Sequence, residues 1–289
     1  MMYSIKNNLL HVSISSKGAE LQSILGKDSG LEYMWSGDPA FWGKKSPVLF
    51  PVVGGLKKNS YEYNGNIYSL SRHGFARDME FEVSWQKEDA IMFTLHSSEE
   101  TLTKYPFKFS FSIRYNLHNN ELNVTYIVQN TDAVPMFFSV GGHPAFKIPL
   151  VSNTSFEDYY LQFSNLENGQ RWPLSKEGLI ENHSVPAIER LVMPLHKSLF
   201  YEDALVFKHL ASKSIFIRSK KTSHGLKIHF NGFPYLGIWS AKDADFVCIE
   251  PWCGIADTVD TNGKLNEKEG INELAPNQSF ERTWSVEVF

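Results

Sequence analysis

The sequence contains only two cysteines, Cys248 and Cys253, in a chain of 289 residues. Four residues separate them, a spacing that is typical neither of redox-active cysteine pairs nor of zinc-binding pairs. We therefore predict two ordinary thiols in a reducing cytoplasm.

Long apolar runs are also missing. The longest, around residues 47–56, is interrupted by prolines and glycines and is far too short to cross a bilayer. Residues 1–8 lack the charged start, the apolar run and the cleavage site of a signal peptide. We therefore expect a cytoplasmic protein with no membrane segment.

The chain has no excess of basic residues. Its formal net charge at pH 7 is -4, and both signs are spread along the sequence. Because there is no basic stripe, the charge pattern disfavours nucleic acid and anionic membranes as partners.

Helical periodicity is scarce, whereas strand periodicity dominates. Residues 107–115 alternate between apolar and polar side chains, as a strand with one buried face does. An Asn119-Asn120 turn separates them from a second alternating run at 122–128, which predicts a hairpin or meander. Similar runs lie at 214–218, 226–231 and 280–288.

A few local signals complete the pattern of predicted elements. The Asn64-Gly65 pair within residues 61–68 is a strong signal for a tight β-hairpin. Two short helical turns are predicted, one at 38–42 with Asp38 as its cap and one at 99–104. Neither reaches the length of a typical globular helix.

The many short alternating strands predict an all-β protein, a large antiparallel β-sandwich with few short helices. Aromatic residues make up 14% of the chain, which suits wide packed sheets. Because no linker, repeat or low-complexity tract interrupts the sequence, we predict a single domain over residues 1–289.

Three short segments combine a titratable side chain with glycine or proline and an aromatic ring. They are 72–77 (Arg-His-Gly-Phe-Ala-Arg), 141–146 (Gly-Gly-His-Pro-Ala-Phe) and 249–254 (Ile-Glu-Pro-Trp-Cys-Gly). Glycine lets the backbone pass close to a ligand, and proline fixes a turn. Phe75 and Trp252 each offer a flat apolar wall. Two imidazoles and one carboxylate in this setting predict a proton-transfer site that folding assembles.

The first segment supplies His73 and Arg77 as candidate binding residues. His73 would donate hydrogen bonds to ligand hydroxyl groups, but judged alone a histidine in a polar loop is the more common arrangement. Arg77 presents a fork of donors suited to vicinal hydroxyls or a phosphate, and it fits a solvated surface charge equally well.

Three further candidates lie later in the chain. His143 follows the apolar run 136–140 and lies between two glycines and a proline, which fix a tight backbone. There it either reaches a ligand or fills a turn. Glu250 follows a buried strand at 246–249, so burial should tune its pKa; the alternative is an exposed carboxylate at a strand end. Asp203 either accepts hydrogen bonds from ligand hydroxyls or caps an element.

The sequence does not predict a cofactor. None of the ten histidines pair at the spacings of common zinc motifs, and His224 and His229 would lie on opposite faces of a strand. Phosphate-binding loops, dinucleotide fingerprints and nucleophile elbows are missing as well. We expect neither a metal nor an organic cofactor.

Taken in order, the three segments resemble the aldose 1-epimerase (galactose mutarotase-like) superfamily, and the chain is most similar to its LacX-type branch. The resemblance covers nearly the whole chain. It also includes residues 18–21, 47–51, 203–205, 268–271 and 274–276.

This resemblance implies a β-supersandwich that holds a sugar on its concave face and interconverts the α and β anomers of an aldose. Matched position by position, it implies Glu250 as the base, His143 as the acid, and His73, Arg77 and Asp203 as binding residues. The partner would be a small sugar, either a free aldose or a hexose phosphate, bound by a monomer or homodimer.

One position departs from the pattern of the superfamily. Galactose mutarotases carry an arginine soon after the Phe-Pro segment, and Gly55 aligns with it here. Lys57 or Arg72 could substitute, although lysine lacks the bidentate geometry of arginine. The alternatives are therefore a hexose-6-phosphate mutarotase and a non-catalytic carbohydrate-binding or sensing protein on the same fold. A glycoside hydrolase is disfavoured because it commonly needs two facing carboxylates.

Overall fold

The computed structural model describes residues 1–167, 169–188 and 191–289, and most regular structure in them is β-strand. In chain order, the strands up to residue 147 are β1 (Met2–Lys6), β2 (Leu10–Ser15), β3 (Leu21–Gly26), β4 (Val48–Leu49), β5 (Ser60–Tyr63), β6 (Asn66–Ser69), β7 (Glu82–Gln86), β8 (Ala90–His96), β9 (Phe109–His118), β10 (Glu121–Asn130), β11 (Met136–Phe138), β12 (Val140–Gly142) and β13 (Ala145–Lys147). The later strands are β14 (Tyr159–Phe163), β15 (Gly169–Trp172), β16 (Val185–Ile188), β17 (Val192–Pro194), β18 (Leu205–Lys208), β19 (Ser214–Ser219), β20 (Leu226–His229), β21 (Tyr235–Trp239), β22 (Phe246–Cys253), β23 (Asn272–Leu274) and β24 (Ser279–Val288).

Helical structure within the described residues is limited to short pieces. There is one α-helix, α1 (Glu99–Lys104), together with 3₁₀ turns at Lys57–Asn59, Ala76–Asp78, Phe156–Asp158, Lys197–Phe200 and Leu265–Glu267. In the part of the chain that the structure covers, no helix is both long and apolar enough to cross a membrane.

Two large antiparallel sheets form the body of the molecule. The first has the strand order β17-β14-β19-β20-β24-β10-β9-β8-β7. The second has the order β16-β15-β18-β21-β22-β12-β4, and β13 also pairs with β22. Smaller sheets are formed by β1-β2-β3, β5-β6 and β11-β23. This architecture confirms the predicted all-β antiparallel sandwich.

The core lies between the two large sheets and follows from the period-two pattern of the strands. Phe111 and Ile113 on β9 are fully buried, as are Val247 and Ile249 on β22 and Ile238 on β21. All five belong to one hydrophobic cluster. Alternating side chains of each sheet therefore meet in the middle of the sandwich.

The predicted hairpins are confirmed. Strands β9 and β10 pair in register from Asn130 opposite Phe109 to Glu121 opposite His118. Strands β5 and β6 are joined by Asn64 and Gly65, whose φ angles of 50° and 76° are those of a tight hairpin turn.

The two predicted helical turns differ in outcome. Residues 99–104 form α1, where the Ser98 side chain accepts a hydrogen bond from the Thr101 N–H at 3.3 Å. Residues 38–42 form only a turn, in which the Trp42 N–H donates to the Asp38 carbonyl at 2.9 Å. This turn brings an indole ring towards the second large sheet.

Candidate active site

Strand β22 is buried along its whole length, but its two faces have different surroundings. Val247 and Ile249 point into the core cluster. Because side chains alternate along a strand, Cys248, Glu250 and Trp252 lie on the opposite face. Glu250 thus lies inside the strand, which corrects the expectation that it ends one.

The register of the sheet brings His143 to Glu250. Strands β12 and β13 pair with β22 in one continuous antiparallel register, and His143 lies in the gap between them. The flanking pairs are Gly141 with Trp252 and Ala145 with Cys248. This register places position 143 opposite position 250, and His143 Nε2 lies 3.3 Å from Glu250 Oε2. The fold therefore forms an imidazole–carboxylate pair from two distant segments.

The pair lines a cavity of about 790 Å³ on the face of the second sheet that is turned away from the core cluster. This volume is in the range of ordinary small-molecule sites. Six of the seven residues that the sequence assigned to a site line it: His73, Arg77, His143, Asp203, Glu250 and Trp252. The three predicted segments therefore do converge on one cavity.

Phe75 is the exception. Its ring packs in the core against Phe50 and Phe109, with ring centroids 6.3 and 6.2 Å away. The preceding Gly74 has a φ of 72°, and a Cβ there would fall 2.2 Å from the Phe50 carbonyl oxygen. The tight turn at this glycine precedes a ring that lies in the core, so Phe75 is a packing residue, which corrects its predicted binding role.

Aromatic rings enclose His143. The Trp42 ring lies 4.8 Å from the imidazole at 32°, and the Trp239 ring meets it edge-on at 5.5 Å. The His73 ring approaches from a third direction, at 5.7 Å. This burial lowers the pKa of His143 to about 3, so its imidazole is neutral at neutral pH.

The Glu250 carboxyl group is affected in the opposite direction. It is only 1% exposed, and burial raises its pKa well above the usual value, with the nearby Asp203 charge adding to the effect. The Trp252 indole favours the carboxylate form but does not reach hydrogen-bond geometry. Although the 3.3 Å contact with His143 would suit an ion pair, desolvation dominates for both groups, so the free pair is neutral with its proton on Glu250.

Several buried polar atoms of the cavity lack a hydrogen-bond partner among the described residues. They are His143 Nδ1, Glu250 Oε2 and Trp252 Nε1. Leaving such an atom unpaired costs about 1–3 kcal/mol, so native proteins rarely do so without a reason. All three belong to residues that line the cavity, which indicates a place for the polar groups of a ligand.

The proton position on His73 follows from its backbone neighbour. Its Nδ1 accepts a hydrogen bond from the Gly54 N–H at 3.1 Å. Burial, followed by His143, Arg77 and Arg72, lowers the pKa of His73 well below its usual value, so the ring is neutral. Nε2 therefore carries the hydrogen, which makes His73 a donor.

Two of the cavity residues have strained backbones. His73 has a φ of 69° and Asp203 a φ of 100°, in the region that favours glycine. Such conformations cost on the order of 1–3 kcal/mol and persist where the surroundings over-determine them, often at functional sites. The Asp203 carboxylate holds its own turn by accepting the Ala204 N–H at 2.7 Å.

The neighbourhood of Gly55 shows which basic residue lies near the position at which galactose mutarotases carry an arginine. A Cβ on Gly55 would lie 3.5 Å from the Gly178 carbonyl oxygen, and Arg72 Nη2 donates to that same oxygen at 3.4 Å. Arg72 lines the cavity. Lys57, the other candidate substitute, instead donates to the Val259 carbonyl at 2.6 Å.

Some cavity residues carried no signal in the sequence. Trp42, Trp239, Tyr201 and Lys176 all line the cavity. None of them lies in the three segments, and Trp42 was visible only as part of a predicted turn. Recognising them requires knowing which loops cover the second sheet and, for Trp239 on β21, which face of that sheet is turned to the cavity.

A buried ion pair supports the part of the cavity wall that contains Gly54. Lys268 Nζ lies 2.8 Å from Asp257 Oδ1, and both side chains are almost fully buried. The Asp257 backbone N–H also donates to the Gly55 carbonyl, and its Oδ2 accepts the Lys57 N–H. The pair therefore fixes the segment whose Gly54 orients His73.

We expect Lys268→Met to destabilise the protein by about 3 kcal/mol, because it leaves the Asp257 carboxylate buried and uncompensated. Urea unfolding measures this change. The matched control is Lys264→Met, which removes an exposed partner of Glu267 and should change stability by no more than about 0.5 kcal/mol. Equal effects of both variants would show that the buried pair has no special role.

Comparison with known proteins gives matches over the whole chain. A family model described as Aldose 1-epimerase matches residues 1–278. The protein LacX (chromosomal) of Lactococcus lactis subsp. lactis is 31% identical over 300 residues, covering 100% of this chain and 99% of the relative.

Solved structures share the same architecture. A galactose mutarotase related enzyme from Lactobacillus acidophilus is 38% identical with a TM-score of 0.96, covering 100% of this chain and 97% of that one. A galactose mutarotase-like protein from Lactobacillus casei is 32% identical with a TM-score of 0.94, covering 100% of both chains. The likeness therefore extends over the whole fold.

Proposed function

Because the chain belongs to the aldose 1-epimerase family, we propose that it is a cofactor-independent isomerase that interconverts the α and β anomers of an aldose. Glu250 is the base that takes the proton of the anomeric hydroxyl, and His143 is the acid that protonates the ring oxygen. The observation that carries this proposal is the 3.3 Å contact between His143 Nε2 and Glu250 Oε2 on the wall of a sugar-sized cavity.

Ring opening needs two adjacent acid–base groups, because the hydroxyl oxygen that loses a proton and the ring oxygen that gains one are both bonded to the anomeric carbon. In the reacting complex Glu250 is ionised and His143 protonated. Ring opening moves one proton to Glu250 and one from His143 as the bond between the anomeric carbon and the ring oxygen breaks. The products are an open-chain aldehyde, a neutral carboxyl group and a neutral imidazole. Rotation about the adjacent carbon–carbon bond and reversal of these transfers close the ring as the other anomer.

The proton count of the pair is the same in both states. Ring opening requires the one proton that resides on Glu250 in the free protein to move to His143, over the 3.3 Å that separates the two groups. Burial favours the neutral pair, which is the form that accompanies the open sugar. The site thereby favours the open-chain sugar, which is disfavoured in water. Each positioned proton transfer typically contributes about 100- to 10,000-fold to the rate.

The other cavity residues hold the ring. His73 donates from Nε2, Arg77 and Arg72 donate from their guanidinium groups, and Asp203 accepts. Trp252 supplies an apolar wall. Arg72 takes the place of the arginine that galactose mutarotases carry at the position of Gly55, because Arg72 and position 55 both approach the Gly178 carbonyl.

The pKa directions predict an unusual pH profile. The pair gains a second proton only below the pKa of His143, about 3, and loses its proton only above the raised pKa of Glu250. Between these limits its proton count is constant. We therefore expect kcat/KM to stay level as the pH falls through 6.5, the ordinary histidine value.

Measuring kcat/KM across this range by polarimetry checks the expectation. His73, the other imidazole in the cavity, also has a lowered pKa and should add no limb near 6.5. A fall of activity that follows the titration of an ordinary histidine would contradict the assigned protonation states.

The substrate proposal takes a free aldose as the default. The cavity is lined by the basic residues Arg72, Arg77 and Lys176. The acidic residues Glu202 and Asp203 line it as well, so the charge of the lining is mixed. A phosphate could still use the arginines through charge-assisted bonds, each contributing roughly 1.5–3 kcal/mol. A hexose-6-phosphate activity is therefore the second candidate.

The test is polarimetry of freshly dissolved α-anomers of glucose, galactose and their 6-phosphates, at low and high salt. We expect the protein to accelerate mutarotation of at least one neutral sugar at both salt concentrations. A phosphorylated sugar that wins only at low salt would favour the second candidate. Sugar binding in calorimetry without faster anomer exchange would show a non-catalytic carbohydrate-binding protein.

We propose further that the protein acts in the cytoplasm as a single-domain monomer or homodimer. Both cysteines are buried and unpaired, which fits a reducing compartment. Light scattering of the purified protein measures the oligomeric state, and a larger assembly would contradict this part of the proposal.

A further inference from the structure

The face of β22 that carries Glu250 also carries a thiol. Cys248 is two residues away, so its side chain points to the same side of the sheet. His143, Cys248 and Glu250 are all buried, and each offers a ligand atom within 4.8 Å of the others. We call these three residues the His-Cys-Glu cluster.

The donor atoms of this cluster match the preferences of Zn²⁺. Zinc binds imidazole nitrogen, thiolate sulfur and carboxylate oxygen, and its open sites use three protein ligands and one exchangeable position. The bond lengths of a tetrahedral zinc site place neighbouring ligand atoms about 3.3–3.8 Å apart. The His143 and Glu250 atoms already lie at 3.3 Å. The thiol starts within 4.8 Å of the other two ligand atoms, so closing the site requires it to shift by roughly 1–1.5 Å at most.

Two further observations support a ligand at this point. Glu250 Oε2 is buried without a hydrogen-bond partner among the described residues. The cavity gives an ion an approach and a free coordination position, because His143 and Glu250 both line it. A thiolate and a carboxylate would also neutralise the two charges of the ion.

We propose that the His-Cys-Glu cluster binds a soft divalent cation such as Zn²⁺, which occupies the acid–base pair and inhibits ring opening. Binding releases the protons of the thiol and the carboxyl group to solvent. Hard cations such as Mg²⁺ do not compete, because the cluster supplies a single carboxylate and Mg²⁺ prefers oxygen ligands. The inhibition rests on the proposed function, whereas the binding does not.

The chain offers a matched control for the test. Cys253 is the other thiol and is buried on the same strand, but it belongs to the core cluster on the opposite face. Full-length protein is titrated with Co²⁺, whose absorption reports a thiolate ligand, and with Zn²⁺ in a calorimeter. The variants are Cys248→Ala, the closer mimic Cys248→Ser, and Cys253→Ala, with circular dichroism to verify folding.

We expect the parent and Cys253→Ala to show the thiolate-to-cobalt charge-transfer band, and both Cys248 variants to lack it. Their Zn²⁺ affinity should fall by at least about tenfold, since even changes outside the ligand set cost that much. An unchanged cobalt spectrum in folded Cys248 variants would place the ion elsewhere and overturn the proposal. Failure of the parent to bind Co²⁺ or Zn²⁺ would overturn it as well.

A kinetic arm separates this proposal from the proposed function. Zn²⁺ should inhibit anomer exchange by the parent and by Cys253→Ala at a concentration at least about tenfold lower than for the Cys248 variants. Active protein with equal zinc sensitivity in all variants would leave the isomerase assignment standing and reject the cluster. If the protein is inactive but shows the cobalt band that depends on Cys248, the cluster stands and the isomerase assignment is rejected.

Discussion

Replacing Glu250 with glutamine should lower kcat for anomer exchange by about 100- to 10,000-fold, the contribution of a positioned proton transfer. The amide keeps the shape of the neutral carboxyl group, which is the form that burial favours in the free protein. It cannot take a proton from the anomeric hydroxyl. Sugar affinity, measured by calorimetry, should change little.

The matched control is Glu202→Gln. This carboxylate also lines the cavity, but its side chain is 84% exposed and pairs with Arg171. Its loss should leave the rate close to that of the parent. A Glu250→Gln variant as active as Glu202→Gln would remove Glu250 from the role of base.

The second large effect is expected for His143→Asn. Asparagine can donate a hydrogen bond to the ring oxygen but cannot release a proton to it, so kcat should again fall by about 100- to 10,000-fold. The fall of kcat/KM near pH 3, where the parent's His143 takes up a proton at its lowered pKa, should disappear in this variant.

His73→Asn provides the contrast. Asparagine tolerates the positive φ at this position and keeps a donor, so this variant should raise KM more than it lowers kcat. If both histidine variants showed the same split between kcat and KM, the distinct roles of acid and binding residue would be wrong.

The strands were predictable because their signals are local. Alternation at 107–115 and the Asn64-Gly65 pair each depend on neighbouring residues, and both hairpins form as predicted. The three motif segments were also recognisable locally. Glycine and proline beside a titratable group mark places where the backbone approaches something closely.

What the sequence could not give depends on contacts between distant segments. Phe75 follows a glycine turn, and only the packing around Phe50 shows that its ring enters the core. Trp42, which follows a loop turn, and Trp239, at the end of β21, enclose His143 from separate parts of the chain. The pKa of His143 is therefore far from the ordinary value that its sequence context suggests.

The His-Cys-Glu cluster illustrates the same limit. Motif spacing along the chain identifies ligands that share a helix or a loop, and none of the histidines met such a spacing. Here the ligands meet through the register between β12, β13 and β22, which is a property of the folded sheet.

Exchange NMR at neutral pH, with equal sugar occupancy in the parent, Glu250→Gln, His143→Asn and the double variant, tests the central claim most directly. Because the two groups act in one step, the double variant should exchange anomers no more slowly than the slower single variant. Either single variant exchanging anomers at the parent rate would contradict the account.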